Sequence, residues 1–471
     1  MISVINLPFL FLFVPLIFSG IQAMQNLKVV NKALNLILII FILVLAFFLF
    51  PTIINTGGLE KKINHKTFLL LGEYKIELMN LLIIIIVFSI KLFNSFFKTD
   101  EKYNTKKERY IYSIYFINYF SILGILTSND IMNLFIYIEI FSFTSYSMLT
   151  DFTEKNVLNF GWSEYNNGLI GSLFFLLFTL ILYFVFDTTN LTDIDSILLL
   201  TDKEKMTSYN LSFVILFVAI YFKFFGFINS FESFQDSKHL SSISYLNTFF
   251  INFALGFYLI QKFLPLFDLN NGYIYIFHIF GSILIIYGSV IIYKKNNILL
   301  YMQGFALIAT GYIIILFTMQ NNKYAGISLY SFFYNYLLID YLYYIIIAMF
   351  VDCYKHNNII YMNFFSKYRY IVYAIIFSKI GFPIAFGFNA NWNFLLAVFE
   401  KNAFYLAIPF AVEKTVCIIL LYKFNNVFTA VQDEKIETLK KDVYKEMRNL
   451  KFVYLYTFMV LIFTLAIYYV S

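Results

Sequence analysis

The sequence comprises 471 residues, of which 61% are hydrophobic and only 13% are charged. Soluble domains carry about 25% charged residues, so this composition excludes a soluble globular enzyme and indicates a membrane protein. The net charge of +6 lies in loops between apolar segments, so it favours a topology signal over a nucleic-acid-binding surface.

Cofactor-binding patterns are lacking in the sequence. Cys353 and Cys417 are its only cysteines, too few for an iron–sulfur cluster or a zinc site. Neither a GxGxxG nor a P-loop pattern occurs. We therefore predict that this chain holds no cofactor and no metal, and that any redox or nucleotide chemistry takes place in partner proteins.

Apolar runs long enough to cross a bilayer follow one another along the chain, and there are about fourteen of them. They predict an all-α membrane protein with about fourteen transmembrane helices. The first run, residues 3–22, lacks the basic start and the cleavage site of a signal peptide, so we interpret it as a span. The runs are centred near residues 12, 39, 87, 118, 139, 176, 218, 253, 283, 308, 338, 380, 412 and 461.

Basic residues cluster in loops that fourteen spans would place on one side of the membrane. The positive-inside rule makes that side the cytoplasm or the mitochondrial matrix, with both termini on the opposite side. Residues 428–450 predict a surface helix before the last span. The basic loops are residues 98–109, 294–297, 355–369 and 441–451, and an acidic loop at 187–196 lies on the other face.

Two residues of opposite charge lie well inside predicted spans. Glu139 occurs in the apolar segment FIYIEIFSF, and Lys223 occurs in VAIYFKFFGF. One such charge costs about 2.5–3.5 kcal/mol on insertion scales. We expect both side chains to face the bundle interior within about 10 Å of each other, because a lipid-facing charge is costly.

Four further charged residues lie in later spans. Glu413 and Lys414 are adjacent, which favours a structural ion pair. For Asp340 a structural and a functional role both stay open. Lys379 precedes the segment GFPIAFGFNANW, where a helix break is predicted.

Helix breaks are predicted at two places in the chain. The first is at Gly226, beside Lys223, and the second is at Pro383 and Gly387. Transporters place ion sites at broken helices, where freed backbone groups and half-helix ends meet the ion. The similar positions of the breaks in successive five-span blocks predict two inverted five-helix repeats. The predicted divisions are residues 1–109 for three N-terminal spans and a matrix-side loop, 110–265 and 266–425 for the repeats, and 426–471 for the surface helix and last span.

Polar residues near the breaks extend the candidate path for protons. Asn252 lies in the span after the first break. His239, in the polar segment NSFESFQDSKHLSS, could shuttle protons at neutral pH. The alternative for His239 is an ordinary solvated loop histidine.

The stretch SNDIMNLFIYIEIFSFTSYSML (128–149) resembles the fifth-helix motif of the antiporter-like proton-channel subunits of respiratory complex I, and is most similar to the subunit 2 type, called subunit N in bacteria. Residues 168–191 resemble the sixth helix, and FSKIGFPIAFGFNANW resembles the broken twelfth helix. The resemblance implies that Glu139 and Lys223 form a charge pair that tunes proton transfer. It also implies a core membrane-arm subunit of NADH:ubiquinone oxidoreductase that translocates protons while quinone is reduced elsewhere.

The partners that the resemblance implies are subunit 4-like and 4L-like neighbours and membrane lipids. NADH, FMN, iron–sulfur clusters and ubiquinone would then be bound by partner subunits. The abundance of Phe, Tyr, Ile and Asn, with Lys favoured over Arg, is typical of A+T-rich coding. It favours the mitochondrial inner membrane, with a bacterial plasma membrane as the alternative.

The sequence departs from the family pattern at three lysine positions. The eighth-helix lysine would fall near Asn252 or Phe253, the position of the twelfth-helix lysine is occupied by Asn391, and the tenth-helix lysine is missing unless Lys294 or Lys295 is its displaced counterpart. Lys379 could replace one of them, with Asn252 and Asn391 keeping a hydrated path. The alternatives are a non-pumping scaffold subunit of the same complex and a stand-alone cation/proton antiporter.

Overall fold

The computed structural model describes residues 7–24, 28–56, 58–62, 73–97, 105–149, 155–198, 206–226, 242–267, 271–341, 344–345, 359, 369–383, 385 and 387–429. Within these ranges the chain forms fifteen helices and one two-stranded hairpin. The helices are α1 (Leu7–Met24), α2 (Lys28–Thr56), α3 (Leu78–Phe97), α4 (Thr105–Thr127), α5 (Ile131–Leu149), α6 (Lys155–Phe186), α7 (Leu191–Leu198), α8 (Met206–Ile220), α9 (Ser242–Phe263), α10 (Asn271–Lys294), α11 (Ile298–Thr318), α12 (Lys323–Asn335), α13 (Arg369–Ile380), α14 (Phe388–Glu400) and α15 (Ala407–Thr429). The strands are β1 (Leu59–Lys62) and β2 (Glu73–Ile76).

The structure confirms the predicted helical class. Six helical segments among the described residues are long and apolar enough to cross a membrane: 33–56, 164–186, 248–266, 272–294, 298–318 and 404–429. Three shorter apolar helical segments accompany them, at 78–92, 111–127 and 210–225. The count of fourteen spans and the inverted repeats stay predictions.

The first of two compact units comprises residues 1–230 and 247–268. Helix α4 lies at its centre and packs against α1, α2 and α5, while α6 packs against α8. Every residue from 118 to 129 is buried. A hairpin that was not predicted from the sequence joins β1 and β2 antiparallel, and Tyr74 forms a bridge with Ser128. The core of this unit is therefore helical and bordered at one end by a short hairpin.

The second unit comprises residues 231–246 and 269–471. Its core helix is α11, which is buried from Ile298 to Phe317. Helices α10 and α11 run antiparallel in close contact, because glycines face each other at two levels. A Cβ on Gly281 would lie 2.7 Å from the Gly311 carbonyl oxygen, and one on Gly288 would lie 2.5 Å from that of Gly304. Small residues of this kind let membrane helices approach to backbone contact.

Irregular backbone occurs where charged residues enter the bundle. Helix α8 continues into a π-helical turn, Tyr221–Phe225, followed by Gly226. Helix α12 continues into a second π-helical turn, Tyr336–Asp340. Single π turns inside helices occur frequently at functional sites.

The predicted break at Pro383 and Gly387 is present. Helix α13 ends at Ile380 and α14 begins only at Phe388. Gly381 ends the first segment with a φ of +84°, which glycine adopts without steric cost. The predicted polar segment with His239, the last span and nearly all of the predicted surface helix lie outside the described residues.

Candidate functional site: buried charge pairs

The start of α5 fixes the position of Glu139. Asp130 caps the helix, since its Oδ1 accepts a hydrogen bond from the Asn133 amide at 3.0 Å. Its Oδ2 accepts another from the Thr189 hydroxyl at 2.7 Å. The Ser-Asn-Asp start of the motif is therefore a helix cap anchored to the loop after α6. Glu139 lies nine residues further, roughly 13 Å along the helix.

Glu139 and Lys223 form an ion pair in the first unit. The Lys223 Nζ lies 2.8 Å from Glu139 Oε1. The same ammonium donates to the Gly168 carbonyl at 3.3 Å and to the Ser172 hydroxyl, both on α6. Its three N–H groups thus have three acceptors, which compensates for the loss of water around a buried charge. The predicted proximity of the two charges is therefore confirmed, since 2.8 Å is well below the expected limit of about 10 Å.

The two partners differ in exposure. The Lys223 side chain is 4% exposed, whereas that of Glu139 is 36% exposed. The lysine therefore lies inside the unit, while the carboxylate lies at its edge. The expectation that both face the interior is correct for Lys223 and only partly correct for Glu139.

Gly171 allows α6 to reach the π turn that carries Lys223. A Cβ on Gly171 would lie 2.9 Å from the Ala219 carbonyl oxygen and 2.9 Å from the Lys223 amide nitrogen. A larger residue would push α6 away from Lys223. The glycine thus brings Gly168 and Ser172 within reach of the ammonium.

Lys379 and Asp340 form a second pair in the other unit. Asp340 ends the π turn after α12, and its carboxylate accepts a hydrogen bond from the Lys379 ammonium. The Asp340 side chain is 2% exposed. The Lys379 ammonium also lies 5.2 Å from the ring centre of Phe305. Asp340 is therefore the acidic neighbour that the charge of Lys379 requires.

Lys414 connects this pair to a third. Its Nζ lies 2.6 Å from Glu413 Oε2, as the sequence predicted, and also donates to the Lys379 carbonyl at 2.7 Å. The Tyr312 hydroxyl donates to Glu413 Oε2 at 3.2 Å, and the Cys417 thiol donates to Oε1 at 3.2 Å. Ionisable groups on the π turn after α12 and on α13, α15 and α11 thus lie in succession, with the Lys379 backbone carbonyl as the link between Lys379 and Lys414.

The two asparagines predicted to occupy lysine positions, Asn252 and Asn391, are buried in separate units. Asn252 lies on α9 and is 3% exposed, while Asn391 lies on α14 and is 6% exposed. The Asn391 amide donates to the Gly387 carbonyl at 2.9 Å. Neither side-chain oxygen has a hydrogen-bond partner among the described residues. Buried carbonyl oxygens of this kind are normally hydrogen-bonded, often to water.

Two lysines of the first unit were missed by sequence reasoning. The buried Lys91 on α3 donates to Asn118 Oδ1 at 2.9 Å, and the Asn118 amide donates to Thr144 at 2.9 Å and Ser145 at 3.1 Å on α5. Lys262 on α9 donates to the Ser128 carbonyl. Each lies in the last part of an apolar run, where a lysine is easily read as an interfacial anchor.

A buried histidine was also missed. His278 on α10 is 3% exposed, and its Nδ1 lies 2.5 Å from the Tyr405 hydroxyl. His239, the histidine singled out in the sequence, lies outside the described residues. Across the part of the chain that the structure describes, no group of three or more His, Cys, Asp or Glu residues is placed to hold a metal ion.

Three solved structures share this fold. The archaeal membrane-bound sulfane sulfur reductase, a respiratory membrane complex, contains a chain with a TM-score of 0.75 and 12% identity, covering 97% of both chains. The Mrp complex from Dietzia sp. DQ12-45-1b contains one with a TM-score of 0.73 and 14% identity, covering 92% of this chain and 80% of that one. Respiratory complex I from Thermus thermophilus, with bound aureothin, contains one with a TM-score of 0.65 and 12% identity, covering 96% of both.

These three chains come from multi-subunit membrane complexes, and at such low identity the likeness concerns the fold alone. The sequence itself matches a protein family over residues 128–417, which is more than half of the chain. The matched segment includes Glu139, Lys223, Asp340, Lys379 and Glu413. The chain therefore belongs to the family of membrane subunits described as NADH:quinone oxidoreductase/Mrp antiporter, TM.

Proposed function

We propose that this chain is a proton-translocating membrane-arm subunit of respiratory complex I, of the subunit 2 or bacterial N type. The observation that carries the proposal is the Glu139–Lys223 pair, in which a nearly buried ammonium meets a carboxylate at 2.8 Å beside a π turn. Buried ion pairs contribute little net stability. A switching role explains better why this one is kept inside a membrane.

Proton transfer at Lys223 depends on the position of Glu139. With the carboxylate in place, the ammonium has a countercharge and its proton is retained. When the carboxylate moves away, the ammonium loses its countercharge in a low-dielectric site and its proton is released. The exposed side of Glu139 allows a neighbouring subunit to drive this movement. Lys223 thus acts as the proton carrier, and Glu139 sets its charge.

In the second unit, Lys379 and Asp340 perform the corresponding step. The unpartnered oxygens of Asn252 and Asn391 are suited to orient water within their own units. An amide orients water but does not hold a proton, so the ionisable groups of the Asp340–Tyr312 chain carry the charge. This arrangement favours a working channel over the scaffold alternative.

The chain takes no part in redox chemistry on this proposal. NADH, FMN, iron–sulfur clusters and ubiquinone are bound by partner subunits, and the neighbours are subunit 4-like and 4L-like proteins with lipids around them. The A+T-rich composition supports the mitochondrial inner membrane, and a bacterial plasma membrane is the alternative. The chain is then part of an enzyme without being its catalytic centre.

The test is proton translocation by the intact complex in sealed vesicles during NADH oxidation. Lys223→Met removes the carrier and should abolish the protons moved by this subunit, while uncoupled quinone reduction continues. Unchanged proton yield would support the scaffold alternative. Sodium–proton exchange without any NADH oxidation in the purified assembly would instead identify a cation/proton antiporter.

A further inference from the structure

His278 is a buried titratable group that the proposed charge chain does not use. It lies seven residues into α10, about 10 Å from the helix start, and is 3% exposed. Its Nδ1 is 2.5 Å from the Tyr405 hydroxyl. Its Nε2 has no hydrogen-bond partner among the described residues. A buried imidazole nitrogen without a partner is rare and calls for a role.

Tyr405 links this imidazole to the surface of the unit. It lies in the short 3-10 turn before α15, Phe404–Leu406, and is 41% exposed. Tyr275, one turn before His278, is also exposed, and its ring centre lies 6.1 Å from that of Tyr405. Tyrosines whose hydroxyl reaches water while the ring contacts apolar groups are typical of the membrane–water interface. The hydroxyl of Tyr405 therefore has a buried nitrogen on one side and access to the interface on the other.

Helix packing places His278 close in level to the end of the charge chain. Gly281, one turn after His278, contacts Gly311 on α11. The next residue, Tyr312, donates its hydroxyl hydrogen bond to Glu413. His278 and Tyr312 thus differ in level by about two residues, roughly 3 Å along the antiparallel pair. The titratable side chains in ring contact with the imidazole are Tyr275 and Tyr405, whose ring centres lie 6.5 Å and 5.9 Å from it.

We propose that His278 and Tyr405 form a proton-exchange site of the second unit, at the end away from the basic loop at residues 294–297. The site rests on the proposed function, because the protons come from the Glu413–Tyr312 end of the charge chain. Nε2 accepts a proton delivered by water, and the imidazole becomes a cation. Nδ1 then gives its proton to the Tyr405 oxygen while the phenol releases its own proton to interfacial water.

The transfer is balanced, since one proton enters at Nε2 and one leaves at the phenol. The imidazole ends neutral with its proton on Nε2, and rotation of the side chain that turns this N–H toward Tyr405 and Nδ1 toward the water makes it ready for the next proton. The same steps in reverse carry protons inward. Histidine suits this task because each of its two ring nitrogens can carry a proton.

Three variants in the intact complex test the site, with proton flux per electron measured in vesicles from about pH 5.5 to 8.5. His278→Gln keeps a polar side chain but cannot carry a proton, and should lower flux about tenfold or more, as is usual for loss of an acid–base group. Tyr405→Phe removes one oxygen from a half-exposed residue and should give a several-fold drop.

Tyr275→Phe is the matched control, because it removes an exposed hydroxyl from the same cluster and should leave flux and pH profile unchanged. Assembly of each complex is checked by its uncoupled quinone reductase rate. If the complex with His278→Gln fails to assemble, proton flux in Tyr405→Phe is compared with that in Tyr275→Phe. Lower flux in Tyr405→Phe supports the site, and equal flux refutes it.

Two results would overturn the site. Wild-type flux and pH profile in the His278 and Tyr405 variants, with flux lost in Lys223→Met, would refute the exchange site and leave the proposed function intact. No proton flux in the wild-type complex would refute both.

Discussion

Replacing Glu139 by Gln removes one charge and keeps the size of the side chain. At 2.8 Å, two unit charges attract by about 6 kcal/mol in an effective dielectric of about 20. Glu139 is 36% exposed, so solvent screening reduces this figure. We take about 2–3 kcal/mol, somewhat below the 3–5 kcal/mol typical for breaking a fully buried pair.

That free energy corresponds to a roughly 30- to 160-fold change in the ratio of charged to neutral Lys223. Glu139→Gln should therefore shift Lys223 toward its neutral form by this factor, and proton flux per electron should fall. The assay is NADH-driven acidification or alkalinisation of vesicles that contain the intact complex. Uncoupled NADH oxidation serves as the measure of assembly.

A double-mutant cycle separates the pair from general damage. Glu139→Gln, Lys223→Met and the double variant are compared by thermal unfolding of the complex. Each single change leaves one charged or polar partner without its counterpart, whereas the double change removes both. The loss of unfolding free energy in the double variant should therefore be smaller than the sum of the two single losses by about 2–3 kcal/mol. Strict additivity, together with normal proton flux in Glu139→Gln, would refute the reasoning.

Four further predictions concern the second ion pair, two glycines and the isolated chain. Asp340→Asn should lower proton flux by removing the countercharge of Lys379, and normal flux in vesicles of this variant would show that the second pair is only structural. Gly171→Ala should cost about 1–3 kcal/mol of stability and weaken pumping, because the new methyl group would press on the backbone of Lys223. Gly326→Ala, with no atom within 4 Å of the added carbon, should be neutral or stabilising in the same melting assay. The isolated chain should show no NADH oxidation, no quinone reduction and no bound metal, and redox activity of the pure chain would contradict this.

Sequence alone was sufficient for the membrane class and for the most important pair. Burying a charge in a bilayer is costly wherever it occurs, so Glu139 and Lys223 were conspicuous in apolar runs. Pro383 and the neighbouring glycines predicted the break between α13 and α14, because their backbone preferences are local. The family resemblance then linked two residues 84 positions apart.

Long-range partners required the tertiary structure. Asp340 and Lys379 lie 39 positions apart, and His278 and Tyr405 lie 127 positions apart. A sequence shows that a helix is apolar, but in a helix apolar on all sides no periodicity marks which face meets a neighbour. For the same reason, the hydrogen bonds from Lys91 through Asn118 to α5 could not be predicted, since each residue is a single polar group in an apolar run.

Close backbone contacts decided the rest. The sequence contains Gly171 and Gly281 without indicating what they touch, and only packing shows that one lets α6 reach Lys223 and the other lets α10 lie against α11. Composition thus determined that these helices lie in a membrane and that a few charges must be buried there. Which charge meets which countercharge was decided by helix contacts in three dimensions, because the energy of a buried charge depends on its nearest partners.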